Sequence, residues 1–186
     1  IYVDFIEEKK KILHNNSRTI GISKSNIDFF NNSIINVEKI AWKLRKIEIF
    51  SDNLKREKLI NFENNDNELF SIIRNQNLFD ILERSLSKSK YFKKINGLKN
   101  LKFLNHYSLV INTDFNHLIT KKYFSKKIHK KYNSVAYTTT IRHQKIHNDI
   151  AVQIFTKMGP LAFLPVSRKE TSVVYSLNNL KNNIHK

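Results

Sequence analysis

The order of elements in these 186 residues predicts a mixed α/β fold, in which a parallel layer is interleaved with an antiparallel β-sheet domain. Three observations carry that expectation. The run Ile1–Ile6 (IYVDFI) is continuously apolar, as an internal strand of a covered parallel sheet would be. Helical stripes stand between strand candidates in the first half of the chain. From Ser134 onward the sequence becomes four β-rich runs at short spacing.

After the first strand, Ser23–Asn32 predicts a helix: Ser23 is a cap candidate, and Ile27, Phe30 and Ile34 recur at helical spacing. Lys46–Ser51 alternates, so Ile47 and Ile49 share one face of a strand. Lys58–Phe62 and Leu69–Ile73 are strand candidates around an Asn/Asp-rich turn at Asn64–Asn67. Leu78, Ile81, Leu82 and Leu86 form a helical stripe in Asn77–Ser89, and Leu101–Leu104 and Leu109–Ile111 read as short strands. Ser134–His143, Ala151–Thr156, Leu161–Val166 and Thr171–Leu177 then predict an antiparallel meander with one covered face.

Composition excludes several classes. Without a single Cys there is no disulfide framework, thiolate metal site or Cys nucleophile. No two His form an H-E-x-x-H pair, no Ser-His-Asp or metal constellation stands out, and no apolar run reaches the roughly 20 residues that span a bilayer. The net charge of +17 rests on 26 Lys against 7 Arg and falls mainly in the second half. With Asn and Ile equally enriched, it reads first as a solvated surface shaped by A/T-rich codons. Nucleic acid or an anionic membrane is the alternative partner class, although no RNP-like, zinc-finger or helix-turn-helix signature supports the former. The densest cluster is Lys121, Lys122, Lys126, Lys127, Lys130 and Lys131. One of three glycines and both prolines (Gly159, Pro160, Pro165) fall within seven residues, which marks a place where the backbone must take a set shape.

That segment, Ile154–Pro165 (IFTKMGPLAFLP), followed by Thr171–Ser176 (TSVVYS), resembles the F-T-x-x-G-P-L-A-x-L-P stretch of the ubiquinone-biosynthesis hydroxylases. These are FAD-dependent aromatic monooxygenases related to p-hydroxybenzoate hydroxylase. Other blocks follow in family order. Val3–Glu7 (VDFIE) resembles the second strand of the FAD-binding unit. Asn16–Ser23 (NSRTIGIS) is similar to R-x-I-A-L-S, and Leu44–Asp52 to the strand that leads into the substrate domain. Ile73–Leu86 is similar to V-x-N-x-x-L-x-x-x-L, and Tyr137–His143 to A-x-V-x-H.

The resemblance implies a Rossmann-like FAD/NAD(P)-binding layer interleaved with a β-sheet substrate domain. Its parts would run 1–43 and 74–132 for the FAD-binding domain, and 44–73 and 133–186 for the substrate domain. It implies FAD and NAD(P)H as cofactors, and hydroxylation of an aromatic ring, with a polyprenyl phenol of ubiquinone biosynthesis as the substrate. Glu7 (with Glu8 as the neighbouring candidate), Arg18, Asn75 and Asp114 match cofactor-contacting positions; Phe155, Pro160, Leu161, Phe163 and Pro165 would wall the substrate pocket, with no obligatory catalytic acid or base. Arg142 and His143 are further candidates to meet the ring hydroxyl.

Two departures follow. The family's D-G motif stands here as Asn112–Lys121 (NTDFNHLITK), with Phe115 where glycine would be. The G-x-G-x-x-G and G-D motifs are absent, so the chain is expected to be an internal part of such an enzyme and inactive alone. The implied setting is cytoplasmic, at the membrane face, with the lysine cluster docking to anionic lipid. A non-catalytic basic module that binds nucleic acid or anionic lipid is the competing reading.

Overall fold

The computed structural model describes residues 1–7, 17–53, 57–63, 68–98, 101–126, 128, 130 and 132–178. Glu8, Asn16, the turn at Asn64–Asn67, Lys127 and Lys131 lie outside the described residues. The chain divides into two compact units, Ile1–Ile12 with Leu86–Tyr132, and Leu13–Ser85 with Asn133–Lys186.

In the smaller unit, β1 (Val3–Glu7) runs parallel to β7 (Phe92–Asn96), with Val3 opposite Phe92 and Glu7 opposite Asn96. The expected strand is present and pairs in parallel, but among the described residues its sheet has two strands, so β1 is not internal, and Val3 and Phe5 are 48% and 45% exposed rather than covered. The Phe5 and Phe92 rings stack across the pair at 6.2 Å. Leu101–Leu104, expected as a strand, lies instead in a 3₁₀ turn, Leu101–His106, that buries Leu104. Leu109–Ile111 has no ladder partner among the described residues, and Leu109 and Ile111 are 74% and 78% exposed. Three apolar residues in a row carry no period, so they cannot distinguish a strand from an extended loop. The helix α3 (Leu118–Tyr123) is capped by the His117 ring, which accepts the Ile119 N–H.

The larger unit has three layers. β2 (Thr19–Ser23), β6 (Phe70–Arg74) and β3 (Ala41–Leu44) form a three-stranded antiparallel sheet with β6 in the middle. Alternation along β6 decides what each face buries. Ile73, fully buried, faces a cluster with Ile22, Ile27 and Val37, on which Phe30 and Leu78 pack. Ile72 faces the other way, into a cluster with Leu44 and Ala151 that Trp42, Phe70 and Leu164 flank. Each such side chain contributes roughly 1.5–3 kcal/mol by leaving water.

α1 (Lys24–Phe29) covers the first cluster, and Ser23 caps it by accepting the Asn26 N–H. One π-helical turn, Phe30–Ile34, extends it. α2 (Asn75–Leu86) follows β6 directly and supplies Leu78. Gly21 in β2 lies close under Phe70: a Cβ there would stand 2.1 Å from the edge of the ring, which would have to shift.

The second cluster is closed by a six-stranded sheet in the order β5-β4-β9-β10-β11-β8. Its strands are β4 (Lys46–Ser51), β5 (Lys58–Glu63), β8 (Ser134–Arg142), β9 (Ile150–Thr156), β10 (Gly159–Ser167) and β11 (Glu170–Asn178). The four expected β-rich runs are all strands, with one difference in topology. β8 returns to pair with β11 rather than β9, and β4 joins the opposite flank in parallel with β9. Side-chain alternation reports which face is covered but not which strands are neighbours, so the sequence pattern left this order open.

Gly159 opens β10 at φ +137°, and a Cβ there would meet the Ser176 carbonyl oxygen at 1.9 Å. The glycine is thus demanded by the neighbouring backbone. Gly159→Ala is expected to destabilise the protein by about 1–3 kcal/mol through backbone strain alone, with the clash adding to it. Chemical denaturation of the two forms measures this, and equal midpoints would contradict it.

Candidate functional site

The apolar side of the six-stranded sheet is set by register. In antiparallel ladders, directly opposed residues share a face. Leu161 opposes Ile154 on β9 and Tyr175 on β11; Phe163 opposes Val152 and Val173; Tyr175 in turn opposes Tyr137 on β8. These residues line one face, which is half-buried to exposed, Tyr137 being 61% exposed. The opposite face carries Ala151, Leu164 and Ser172, which are covered by the three-stranded sheet or close to it. The pleat therefore divides the five residues expected to wall a pocket. Leu161, Phe163 and Pro165 belong to the open face, whereas Phe155 and Pro160 oppose one another on the other side. Pro165 is itself fully buried.

At one corner of the same unit, two of the expected cofactor positions meet. The Asn75 N–H donates to the Arg18 carbonyl at 3.1 Å, where β6 ends and α2 begins. Arg18 is exposed, and its guanidinium has no charged partner among the described residues. The first turn of α2 holds no acidic residue. A helix start beside an arginine suits an anionic group.

The other two expected positions lie in the smaller unit. Glu7 ends β1, where its carboxylate pairs with Lys94 at 2.9 Å and its carbonyl accepts the Gly97 N–H at 2.8 Å. The half-buried carboxylate stands at a parallel strand end, as a ribose-binding acid would. Asp114 is used locally: its Oδ1 accepts the Asn116 N–H at 2.9 Å, and its carbonyl accepts from the Thr120 hydroxyl at 2.9 Å and Asn112 Nδ2 at 3.1 Å. Phe115 beside it is 50% exposed. Of the expected membrane-facing lysines, Lys121, Lys122, Lys126 and Lys130 are exposed, and no helix among the described residues is long and apolar enough to cross a membrane.

Arg142 and His143 take structural partners. Arg142 Nε donates to Glu170 at 3.1 Å. His143 contacts Thr171 Oγ1 through Nε2 at 3.0 Å and the Gln144 carbonyl through Nδ1 at 2.8 Å, so both ring nitrogens are engaged within the protein.

Sequence reasoning missed Lys94, the partner of Glu7, because β7 has only Phe92 and Ile95 as apolar markers and no clear period. It also missed the Tyr107 hydroxyl, which donates a very short hydrogen bond to Asp4 on β1. That bond, with burial and the charge of Asp4 adding to it, pushes the Tyr107 hydroxyl up from 10.0 to about 12. The protonated phenol is the form the fold favours. Stability from this contact is therefore present below the unfolded value near 10, and is lost as pH rises toward 12.

No family model matches the sequence, and no curated protein matches it. Solved structures do match the fold. A multiply substituted form of PqsL from P. aeruginosa aligns at a TM-score of 0.72 with 11% identity, over 96% of this chain and 55% of that one. PqsL itself, a probable FAD-dependent monooxygenase from Pseudomonas aeruginosa, aligns at 0.71 with 9% identity, over 96% and 54%. Tetracycline destructase Tet(51) aligns more loosely, at 0.48 and 14% identity over 94% and 50%. The chain thus has the PqsL-like fold and spans about half the length of the structures it matches.

Alkaline titration followed by tyrosinate absorbance is expected to show one phenol ionising near 12. It should vanish in Tyr107→Phe and move back toward 10 in Asp4→Asn; superimposable curves for all three proteins would contradict the assignment.

Proposed function

We propose that this chain forms the central part of a flavin-dependent monooxygenase that hydroxylates an aromatic ring. The observation that carries the reading is the fold, which follows PqsL over nearly the whole chain. Two features of the chain's own residues support it: the half-open apolar face around Leu161 and Phe163, and the Arg18–Asn75 corner suited to an anionic group.

In this reading Arg18 and the start of α2, both within the larger unit, hold the phosphates of FAD. When bound and reduced, the flavin supplies the oxygen-activating chemistry, as cofactors do in such enzymes. The protein's part is to orient the ring and keep water away. Leu161 and Phe163 offer a dry surface for a planar phenol, and Tyr137 and Tyr175 add aromatic edges on the same face.

The finer reading rests on the motif resemblance alone: NAD(P)H as reductant, and a polyprenyl phenol of ubiquinone biosynthesis as substrate. Exposed lysines at Lys121, Lys122, Lys126 and Lys130 would suit work beside an anionic membrane.

The protein expressed from its complete reading frame is expected to bind FAD, read as quenching of flavin fluorescence. Arg18→Ala should weaken binding about tenfold, the scale of one charged hydrogen bond. Full-length protein that is colourless and cannot be reconstituted with FAD would overturn the proposal.

A further inference from the structure

At one end of the six-stranded sheet, the end of β8 and the turn between β10 and β11 enclose a depression of about 610 Å³, lined by Arg142, His143, Lys145, Ser167, Arg168, Lys169 and Glu170. Four cations thus face a single carboxylate. That carboxylate is already committed: Glu170 Oε2 accepts from Arg74 Nη2 at 2.7 Å and Oε1 from Arg142 Nε at 3.1 Å. Lys145, Arg168 and Lys169 have no acidic partner among the described residues.

The two segments are fixed by backbone rather than left as loose surface. The His143 N–H donates to the Lys169 carbonyl at 2.9 Å, and the Ile146 N–H to the Arg168 carbonyl at 3.0 Å. Ser167 Oγ accepts the Lys169 N–H at 3.1 Å, which tightens the turn. Asn148 ties the loop to the sheet: its Nδ2 reaches the Ser167 carbonyl at 2.8 Å, the Glu170 carbonyl at 3.2 Å and Thr171 Oγ1 at 3.0 Å. The Trp42 indole N–H in turn donates to the Asn148 carbonyl at 2.6 Å. Cations of like sign repel, and a fold that pins their backbones so close keeps that repulsion until an anion relieves it.

We propose that this depression binds an oligophosphate group carried by a small molecule. Arginines offer forked donors that match phosphate oxygens, and lysines add point charge. The concave shape and confinement to one end of the sheet suit a compact multivalent anion rather than a polymer track. The site stands entirely within the larger unit, and it depends on neither flavin nor the proposed ring chemistry.

The probe is inorganic pyrophosphate, titrated by calorimetry into the protein at physiological salt. Saturable single-site heat is expected, weakened about tenfold or more in the double variant Arg168→Gln/Lys169→Gln, as two charged contacts are lost. Both side chains are exposed, and removing two like charges relieves repulsion, so the unfolding midpoint should hold or rise. Lys145→Gln approaches the depression from the other segment and should weaken the same heat. Anionic vesicles bearing phosphorylated inositol lipids distinguish the source. Retention that pyrophosphate displaces supports the site with its phosphate on a lipid headgroup, and pyrophosphate binding without retention supports a soluble ligand. Heat that is absent, non-saturable or equal in the variants overturns the proposal. So does an oligonucleotide that binds but is not displaced by pyrophosphate.

Discussion

The parallel pairing of Lys46–Ser51 with Ile150–Thr156 is the contact on which the larger unit depends. The two strands are about a hundred residues apart in sequence, and closing so long a loop costs entropy before any contact repays it. The structure secures both ends of the pairing. At one end the Arg45 N–H donates to the Asp149 carbonyl, and Arg45 Nε reaches Asp149 Oδ2 at 2.7 Å. At the other the Asp52 N–H donates to the Phe155 carbonyl, and the Lys157 N–H to Asp52 Oδ2. Between these clamps Ile47 stands opposite Ala151, which brings Ala151 against Leu44 and Ile72. Without this pairing the second core would lose one wall and the β4–β5 hairpin its support.

The same pairing creates the sheet's two unlike sides. One is consumed by the three-stranded sheet and holds the buried Ser172 and Ala151. The other keeps Val152, Ile154, Leu161, Phe163, Val173 and Tyr175 together at the surface of the unit. On β4 it continues through Phe50 to Glu48, whose carboxyl is held below its usual range chiefly by the hydrogen bond from Lys58, with Lys46 adding to it against the opposing effect of burial. A mixed sheet with one apolar side left half-open is the platform on which the proposed aromatic ligand would rest.

Much of this fold was legible wherever period and chemistry coincided. Ser23 as cap with Ile27 behind it gave α1, and alternation through Val173, Tyr175 and Leu177 gave β11. Legibility failed where the evidence was non-local. Nothing in Phe92–Asn96 marks a strand except the presence of β1 beside it, and no period in Ser134–Arg142 says that β11 rather than β9 is its neighbour. The candidate site was half legible. Arg18 and Asn75 were singled out separately, and the β2–β6 ladder joins them by pairing Thr19 with Arg74. The apolar run through IFTKMGPLAFLP hid the pleat, so Phe155 and Pro160 were grouped with residues that point the other way. The charged depression went unnoticed because Arg142, Lys145, Arg168 and Lys169 are dispersed in sequence and become one feature only through the return of β8 to β11.

The central claim is that the open face of the six-stranded sheet receives an aromatic ring. The most direct measurement is a crystal structure of the complete protein grown with FAD and a simple phenol. The phenol ring is expected within van der Waals contact of Leu161, Phe163 or Tyr175. A structure in which that face is filled by the protein's own chain, or in which the phenol binds elsewhere, would contradict it.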